Sequence, residues 1–526
     1  MTASSDKPPV PKRTFRKVLV ANRGEIAVRV IRALHEQQIA AAVIYSDADR
    51  DGLAVRLADE AYRIGPAPSA QSYLRAQAIA ALASEIGADA VHPGYGFLSE
   101  NSGFARALRA RGIAFVGPPA AAIAAMGSKI ESRRLMIDAG VPVVPGGRDP
   151  VADVAAAKQQ AASMGYPVMI KASAGGGGKG MRRIDRAEDL AAGFRAARSE
   201  AEASFGDGAL YLERYVVDPR HVEIQILADQ HGRVIALGER ECSLQRRHQK
   251  VLEEAPSPAV DADLRQRMCA AAVRAAAAVG YTNAGTVEFL LAPDGTFFFL
   301  EMNTRLQVEH PVTEMVTGID LVAAQLRIAK GERLATIVPA AWLDAEAVLR
   351  GHAIEVRLYA ENPFRGFTPS PGTIVALRLP DGPGVRNDCG SFEGGEVSIH
   401  YDPMIAKLIV WGDCRQQAIR RLERALRELR VEGIQTTAPL FRQIVADEDF
   451  RAGRLDNGLL ERKLAAGTWG RPAEDSSGDL PLLAAIIAHA ERQASSTSIS
   501  PTAAGRGPRA QWQRAARREA LAGGGA

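Results

Sequence analysis

The chain has 526 residues, 47% of them hydrophobic, and 65 Lys and Arg against 61 Asp and Glu, a net charge of +4. That length holds two or three domains, and so balanced a charge predicts neither nucleic acid nor membrane as a partner. The four cysteines, Cys242, Cys269, Cys389 and Cys414, are scattered without CxxC spacing, residues 1–17 lack an apolar leader core, and no run of about 20 apolar residues occurs, so a cytoplasmic enzyme without disulfides or structural zinc is expected.

The first part alternates strands and helices. Residues 18–21 read as a short buried strand, followed by the turn Asn22-Arg23-Gly24 and a helix whose Ile26, Val30, Ile31 and Leu34 recur at helical spacing. Further strands are expected at 41–45, 88–92 and 113–116, with helices at 72–86, ended by Gly87, and at 104–110. Such alternation implies parallel βαβ units. Asn22-Arg23-Gly24 lacks GxGxxG and is a poor dinucleotide site. A second unit begins near Lys129, with strands at 166–171 and 210–214, the glycine run Gly175 to Gly178, and an Ala-rich helix near 187–203. A third unit, from His221 to about Lys463, reads as mixed α+β with many short strands. Beyond about Ala465 the composition turns to Gly, Ser, Pro and Arg, with one helix expected at 480–490. That tail reads as linker and accessory segment, its Arg506, Arg509, Arg514, Arg517 and Arg518 a solvated face.

Between Glu301 and Glu309 every second residue is polar: Glu301, Asn303, Arg305, Gln307 and Glu309. On an extended strand these share one face. The preceding Phe297, Phe298, Phe299 and Leu300 are apolar on both faces, so the polar face opens onto a cleft rather than bulk solvent. Asp294-Gly295 between two apolar runs signals a hairpin. If those two residues form the turn, Glu288 stands opposite Glu301, about 5 Å away. Two such carboxylates repel unless a cation lies between them. A magnesium ion with Asn303 as a further oxygen ligand would resolve this; Arg305 or a lysine would also do so. The glycine run lies between Lys171 and Lys179, and with no GxxxxGK[ST] present it reads as a flap covering phosphates rather than a P-loop. Arg246, Arg247, His248 and Lys250 form a basic cluster suited to an anion or simply to solvent, and Cys242 reads as a packing residue.

Together these residues closely resemble the biotin carboxylase component of biotin-dependent carboxylases, in the ATP-grasp superfamily, from about Arg16 to Lys463. The segments that carry the resemblance are Ala21-Asn-Arg-Gly-Glu-Ile26, His92-Pro-Gly-Tyr-Gly-Phe-Leu-Ser-Glu-Asn101, Lys171 to Met181, Arg220-His-Val-Glu-Ile-Gln225, Gln245-Arg-Arg-His-Gln-Lys250 and Glu301 to Glu314. The resemblance implies an α/β and α+β fold. Its parts are a Rossmann-like N-terminal domain (1–128), an ATP-grasp part with the glycine-rich lid (129–220), an ATP-grasp catalytic part (221–345), a C-terminal biotin carboxylase domain (346–463) and the tail (464–526).

It also implies the roles. Lys129 and Lys171 look like the ATP phosphate lysines, Gly175, Gly176, Gly177 and Gly178 like the lid, Glu213 like the adenine contact, and His221, Gln245 and His248 like the nucleotide lining. Glu288 and Glu301, with Asn303, match ligands for magnesium or manganese. Lys250, Arg305, Gln307, Val308, Glu309 and Arg357 match the bicarbonate and biotin pocket. Glu309 would deprotonate bicarbonate, which attacks the γ-phosphate of ATP to form carboxyphosphate, and Arg305 would stabilise the biotin enolate that takes up CO₂. The expected partners are a biotin carboxyl carrier protein on a separate chain, since no Met-Lys-Met motif is present, carboxyltransferase subunits, and a second copy of this chain, with Arg29 and Arg32 as interface candidates. A carboxylate–amine ligase of the same superfamily is the alternative. Ala174 and Lys179 replace the usual Gly and Arg of the lid, and Thr437 the usual Asn.

Overall fold

The computed structural model describes residues 10–147, 149–173, 181–345, 347–470 and 487–488. The glycine run Gly175 to Gly178, with Ala174 and Lys179, and nearly all of the tail, including its arginines, lie outside the described residues. The described residues up to Trp469 form one compact unit.

The chain opens on β1 (Lys17–Val20), α1 (Gly24–Glu36), β2 (Ala40–Ser46), β3 (Glu60–Gly65), β4 (Ala90–His92) and β5 (Ala114–Phe115). The strands form a parallel sheet in the order β3-β2-β1-β4-β5. Val18, Leu19 and Val20 are buried, so both faces of β1 are covered, and its apolar run needs no alternation. The expected βαβ alternation is present; β3, with Glu60 and Arg63 among its six residues, is the strand of this sheet that sequence patterning misses. At the switch point between β1 and β4, where an open sheet of this kind offers a ligand crevice, the Asn22 amide donates to the carbonyls of Pro93 and Tyr95 at 2.7 and 2.8 Å. Gly390 closes over the same point, where an added Cβ would lie 2.3 Å from the Glu25 nitrogen.

Helix α2 (Lys129–Asp138) leads to a small antiparallel sheet of β6 (Val168–Ala172), β7 (Met181–Ile184) and β8 (Leu210–Arg214), ordered β7-β6-β8, with α3 (Leu190–Phe205) packed on it. An eight-stranded sheet follows, built from β9 (Arg220–Ala228), β10 (Val234–Arg246), β11 (Gln249–Ala255), β12 (Asn283–Leu291), β13 (Phe297–Asn303), β14 (His352–Tyr359), β15 (Val385–Cys389) and β16 (Met404–Gly412). Its order is β13-β12-β9-β10-β11-β14-β16-β15, and its pairings are antiparallel. Helix α4 (Ala262–Ala278) packs its Leu264, Met268 and Ala272 on one face of that sheet. Helices α5 (His310–Thr317) and α6 (Leu321–Ala329) carry the chain on from the end of β13.

Three sequence expectations change here. The strand from Glu301 stops at Asn303; residues 304–309 are irregular, and Glu309 stands at the N-cap position of α5 without a side-chain capping bond. The β12–β13 hairpin turns through three residues, Pro293 to Gly295, with Gly295 at φ +80°, a conformation glycine adopts freely. Pairs near the turn are therefore offset by one, Phe289 facing Phe299, until a bulge at Leu300 restores Glu288 opposite Glu301. Finally, Arg29 is buried within its own chain, 3.0 Å from Glu314 and 2.6 Å from Asp320, so it ties α1 to the α5–α6 region, while Arg32 is exposed.

Candidate active site

Sheet register sets four charged side chains in one row. Glu301 pairs with Glu288, Glu288 with Glu223, and Glu223 with Arg240, across β13, β12, β9 and β10. Three adjacent carboxylates of like charge repel at this spacing, so cations must reach in from elsewhere. Lys250, just after the Arg247–His248 turn between β10 and β11, supplies one. Its ammonium lies 2.5 Å from Glu223, 3.0 Å from Glu288 and 2.5 Å from Glu309. Arg240, wholly buried, reaches Glu223 at 2.5 Å and donates to Gln307 at 2.6 Å. His221 Nε2 stands 2.9 Å from Glu288, and Gln245 holds the other ring nitrogen at 2.8 Å.

The irregular segment after β13 delivers the rest. Gln307 donates to Glu288 at 2.7 Å. Glu309 meets Lys250 through one oxygen and Arg357 of β14 through the other, at 2.9 Å. Arg357 is held from behind by Glu253 on the neighbouring strand, its Nε at 2.7 Å. Arg305 donates to Glu100 at 2.9 Å and to the Asn303 side-chain oxygen at 2.7 Å. Asn303 in turn donates to Glu288 at 2.8 Å.

These contacts set the proton affinities. Burial alone would raise the Glu288 carboxyl, but Lys250 and His221 hold it far below the usual range. Burial likewise works against ionised Glu309, and Lys250 and Arg357 overcome it, leaving the carboxylate charged. Glu301 differs: burial in the cleft and the Glu288 charge push its carboxyl up, and it has no ion pair among the described residues. Glu301 faces the cleft opening, whereas Glu288 is buried. An all-oxygen donor pair with one member uncompensated suits a hard divalent cation. Asn303 stands beside them, with its oxygen turned toward Arg305.

Lys171 pairs with Glu213 at 2.5 Å, and Arg133 meets the same carboxylate at 2.8 Å. Glu213 therefore anchors a lysine, whatever its neighbouring backbone contacts. Lys129 opens α2 behind the Ser128 cap; burial and the Lys171 charge lower its affinity for a proton. The basic cluster divides. Arg246 lies over the Phe367 ring at 4.1 Å and donates to the Gly366 carbonyl. Arg247 and His248 are exposed at the hairpin turn with positive φ, and only Lys250 joins the charged row. Cys242 is a buried packing residue, its thiol pushed up by burial.

Sequence reasoning did not single out Glu223, Arg240 or Glu253 individually. The signal for Glu223 is the alternation His221, Glu223, Gln225 within β9, since polar residues in the middle strands of a covered sheet need partners. Thr437 also acquires an account: buried, its hydroxyl accepts from the Tyr359 nitrogen at 3.0 Å and donates to the Arg357 carbonyl at 3.1 Å, clamping the strand that carries Arg357.

Known proteins match this chain along most of its length. Family models match residues 14–123 (biotin carboxylase, N-terminal domain), 128–337 (carbamoyl-phosphate synthase L chain, ATP binding domain) and 355–462 (biotin carboxylase C-terminal domain). Biotin carboxylase 2 of Bacillus subtilis is 51% identical over 450 residues, 86% of this chain and 100% of the relative. The mitochondrial methylcrotonoyl-CoA carboxylase subunit alpha of Oryza sativa subsp. japonica is 51% identical over 85% of this chain and 60% of its own length. Among solved structures, the biotin carboxylase domain dimer of Hydrogenobacter thermophilus 2-oxoglutarate carboxylase, in complex with MgADP, ADP and bicarbonate, superposes with a TM-score of 0.81 at 46% identity, covering 88% of this chain and 100% of that one.

Proposed function

Because the chain belongs to the biotin carboxylase family, we propose that it carboxylates the ureido N1 of biotin on a carrier protein, using ATP and bicarbonate by way of carboxyphosphate. The observation that carries this reading is the junction at Glu288. One oxygen of that carboxylate touches Lys250, Gln307 and Asn303, so the Glu288–Glu301 pair and the Lys250–Glu309–Arg357 group share a wall. A phosphate held beside the first lies next to an anion held by the second.

Lys129 and Lys171 bind and orient the ATP phosphates. Glu288 and Glu301, with Asn303 once its amide turns, would hold a magnesium or manganese ion that screens phosphate charge. Glu309 is paired to Lys250 and Arg357, so its carboxylate is a weak base as it stands. Bicarbonate, itself an anion, competes for those two cations and frees Glu309 to take its proton, which raises the nucleophilicity of the remaining dianion. Attack on the γ-phosphorus breaks its bond to the β,γ-bridging oxygen, releasing ADP and forming carboxyphosphate, which breaks into CO₂ and phosphate; phosphate accepts the biotin N1 proton, and N1 bonds to CO₂. Arg305, always charged, offsets the enolate oxygen of biotin once it exchanges its Glu100 contact. The carrier, a carboxyltransferase that selects the final acceptor, and a second copy of this chain are the partners of this reading. It places the enzyme in the cytoplasm; the four unpaired cysteines support that, and no helix among the described residues is long and apolar enough to cross a membrane.

The test is ATP hydrolysis that requires bicarbonate and accelerates with free biotin. Acceleration by an amine or amino acid instead would turn the assignment to a carboxylate–amine ligase.

A further inference from the structure

Bicarbonate chemistry in this reading depends on Gln307, Val308 and Glu309, which lie in an irregular segment with no sheet ladder to hold them. Lys407, on β16 opposite Arg357, is 0% exposed, and its ammonium donates to the Val308 carbonyl at 2.8 Å. Nothing on its own strand requires a charge there. Burying an ammonium costs several kcal/mol unless it is compensated, and the compensation comes from separate parts of the chain. Glu25 of α1 lies 3.5 Å away and Asp388 of β15 3.6 Å away. Glu355 of β14 also interacts with the ammonium, though burial pushes its own carboxyl well up, while Arg386 opposes the ammonium and His310 stands nearby on α5.

Glu25 is buried too, and it accepts a hydrogen bond from the Tyr95 hydroxyl. Tyr95 belongs to the segment His92 to Asn101, one of those that carry the family resemblance. The same segment contributes Glu100, which accepts from the Thr304 nitrogen at 3.0 Å and from Arg305 at 2.9 Å. One N-terminal segment therefore grips residues 304–309 at both ends, directly through Glu100 and by way of Glu25 and Lys407 at Val308.

We propose that Lys407 is a positioning residue for the bicarbonate pocket, and that Tyr95 and Glu25 set its ammonium so that Val308 and Glu309 stay in register with Lys250 and Arg357. The proposal rests on the biotin carboxylase reading. Lys407 touches no reacting atom; it acts through the peptide that precedes Glu309. A hydrophobic replacement would remove the ammonium and leave Glu25 and Asp388 without it, so stability is measured beside activity; the effect on the loop is separable from the ATP side, where Lys129 and Lys171 lie on other elements.

The experiment measures bicarbonate- and biotin-dependent ATP hydrolysis by the full chain, with KM for bicarbonate and for ATP determined separately and thermal unfolding recorded alongside. Lys407→Met is expected to raise the bicarbonate KM about tenfold, the worth of one charge-assisted hydrogen bond, with the ATP KM within about twofold. Lys407→Arg recovers part of the loss. Glu25→Gln and Tyr95→Phe, which leave Lys407 in place, shift the same constant in the same direction by less. Should Lys407→Met not fold, these two decide: a bicarbonate-specific rise supports the relay, and its absence overturns it. A folded Lys407→Met with unchanged bicarbonate KM, or with both constants rising together, also overturns it. Absence of bicarbonate-dependent hydrolysis in the unaltered protein would instead overturn the family reaction itself.

Discussion

Replacing Glu309 by Gln separates binding from chemistry in this site. Four buried carboxylates, Glu223, Glu253, Glu288 and Glu309, surround Lys250, Arg240 and Arg357. Removing one negative charge leaves three facing three, so every cation keeps a partner: Lys250 retains Glu223 and Glu288, Arg357 retains Glu253. The glutamine amide must turn its NH₂ toward one cation, which costs about 1–3 kcal/mol of stability and leaves the protein folded. Loss of the base costs about 10²- to 10⁴-fold in turnover, about 3–5 kcal/mol in barrier. Glu309 contacts neither Lys129 nor Lys171, so nucleotide affinity stays within about twofold, inside the context-dependent scatter of a charge removed at a distance. Steady-state ADP release with bicarbonate and biotin, together with calorimetric titration of nucleotide, reads both quantities. Turnover at the unaltered rate in a folded Glu309→Gln protein would remove Glu309 as the base, and a parallel loss of nucleotide affinity would show that the two halves of the site are not separable as argued.

Glu301→Gln should raise the magnesium concentration needed for half-maximal hydrolysis at least roughly tenfold without lowering the melting temperature, because Glu301 faces Glu288 with no ion pair of its own; an unchanged magnesium requirement would refute its role as a ligand. Phe289, fully buried and edge-on to Phe297 at 5.4 Å, should cost about 3–5 kcal/mol when cut to Ala, measured by chemical denaturation, and a loss under about 1 kcal/mol would contradict the packing described. His92 is buried, and burial lowers its pKa from the usual 6.5 to about 3. The unfolded chain therefore takes up a proton below pH 6.5 that the folded protein refuses until about 3, so this contribution to stability, present above pH 6.5, is lost as pH falls. At pH 5 the loss is about 2 kcal/mol. Glu25 and Glu253, raised to about 7 by burial, act in the opposite sense, so the readout is the difference between the unaltered protein and His92→Gln in their pH slopes of unfolding, which vanishes if His92 is not protonated on unfolding.

The sequence alone determined a good deal. Short apolar runs separated by helical periodicity specified the parallel sheet, because a strand covered on both faces needs continuous apolar residues and a crossover helix needs its own stripe. The facing of Glu288 and Glu301 was also legible, although by a turn one residue too short; the three-residue loop and the bulge at Leu300 offset each other. Alternation from Glu301 to Glu309 marked residues that the fold gathers around Glu288 and Lys250, but not their conformation. Only Glu301 and Asn303 lie on a strand; Arg305, Gln307 and Glu309 arrive through an irregular segment ending at a helix N-cap position.

Tertiary structure decided the rest. Glu223, Arg240, Glu253 and Lys407 belong to strands brought together by register, and no local pattern announces that Glu223 lies between Glu288 and Arg240, or that Lys407 reaches the Val308 carbonyl from 99 residues away. Periodicity reports which face a side chain takes, because that depends on near neighbours in the chain. Which charge compensates which depends on distances across strands, and those exist only once the sheet is assembled.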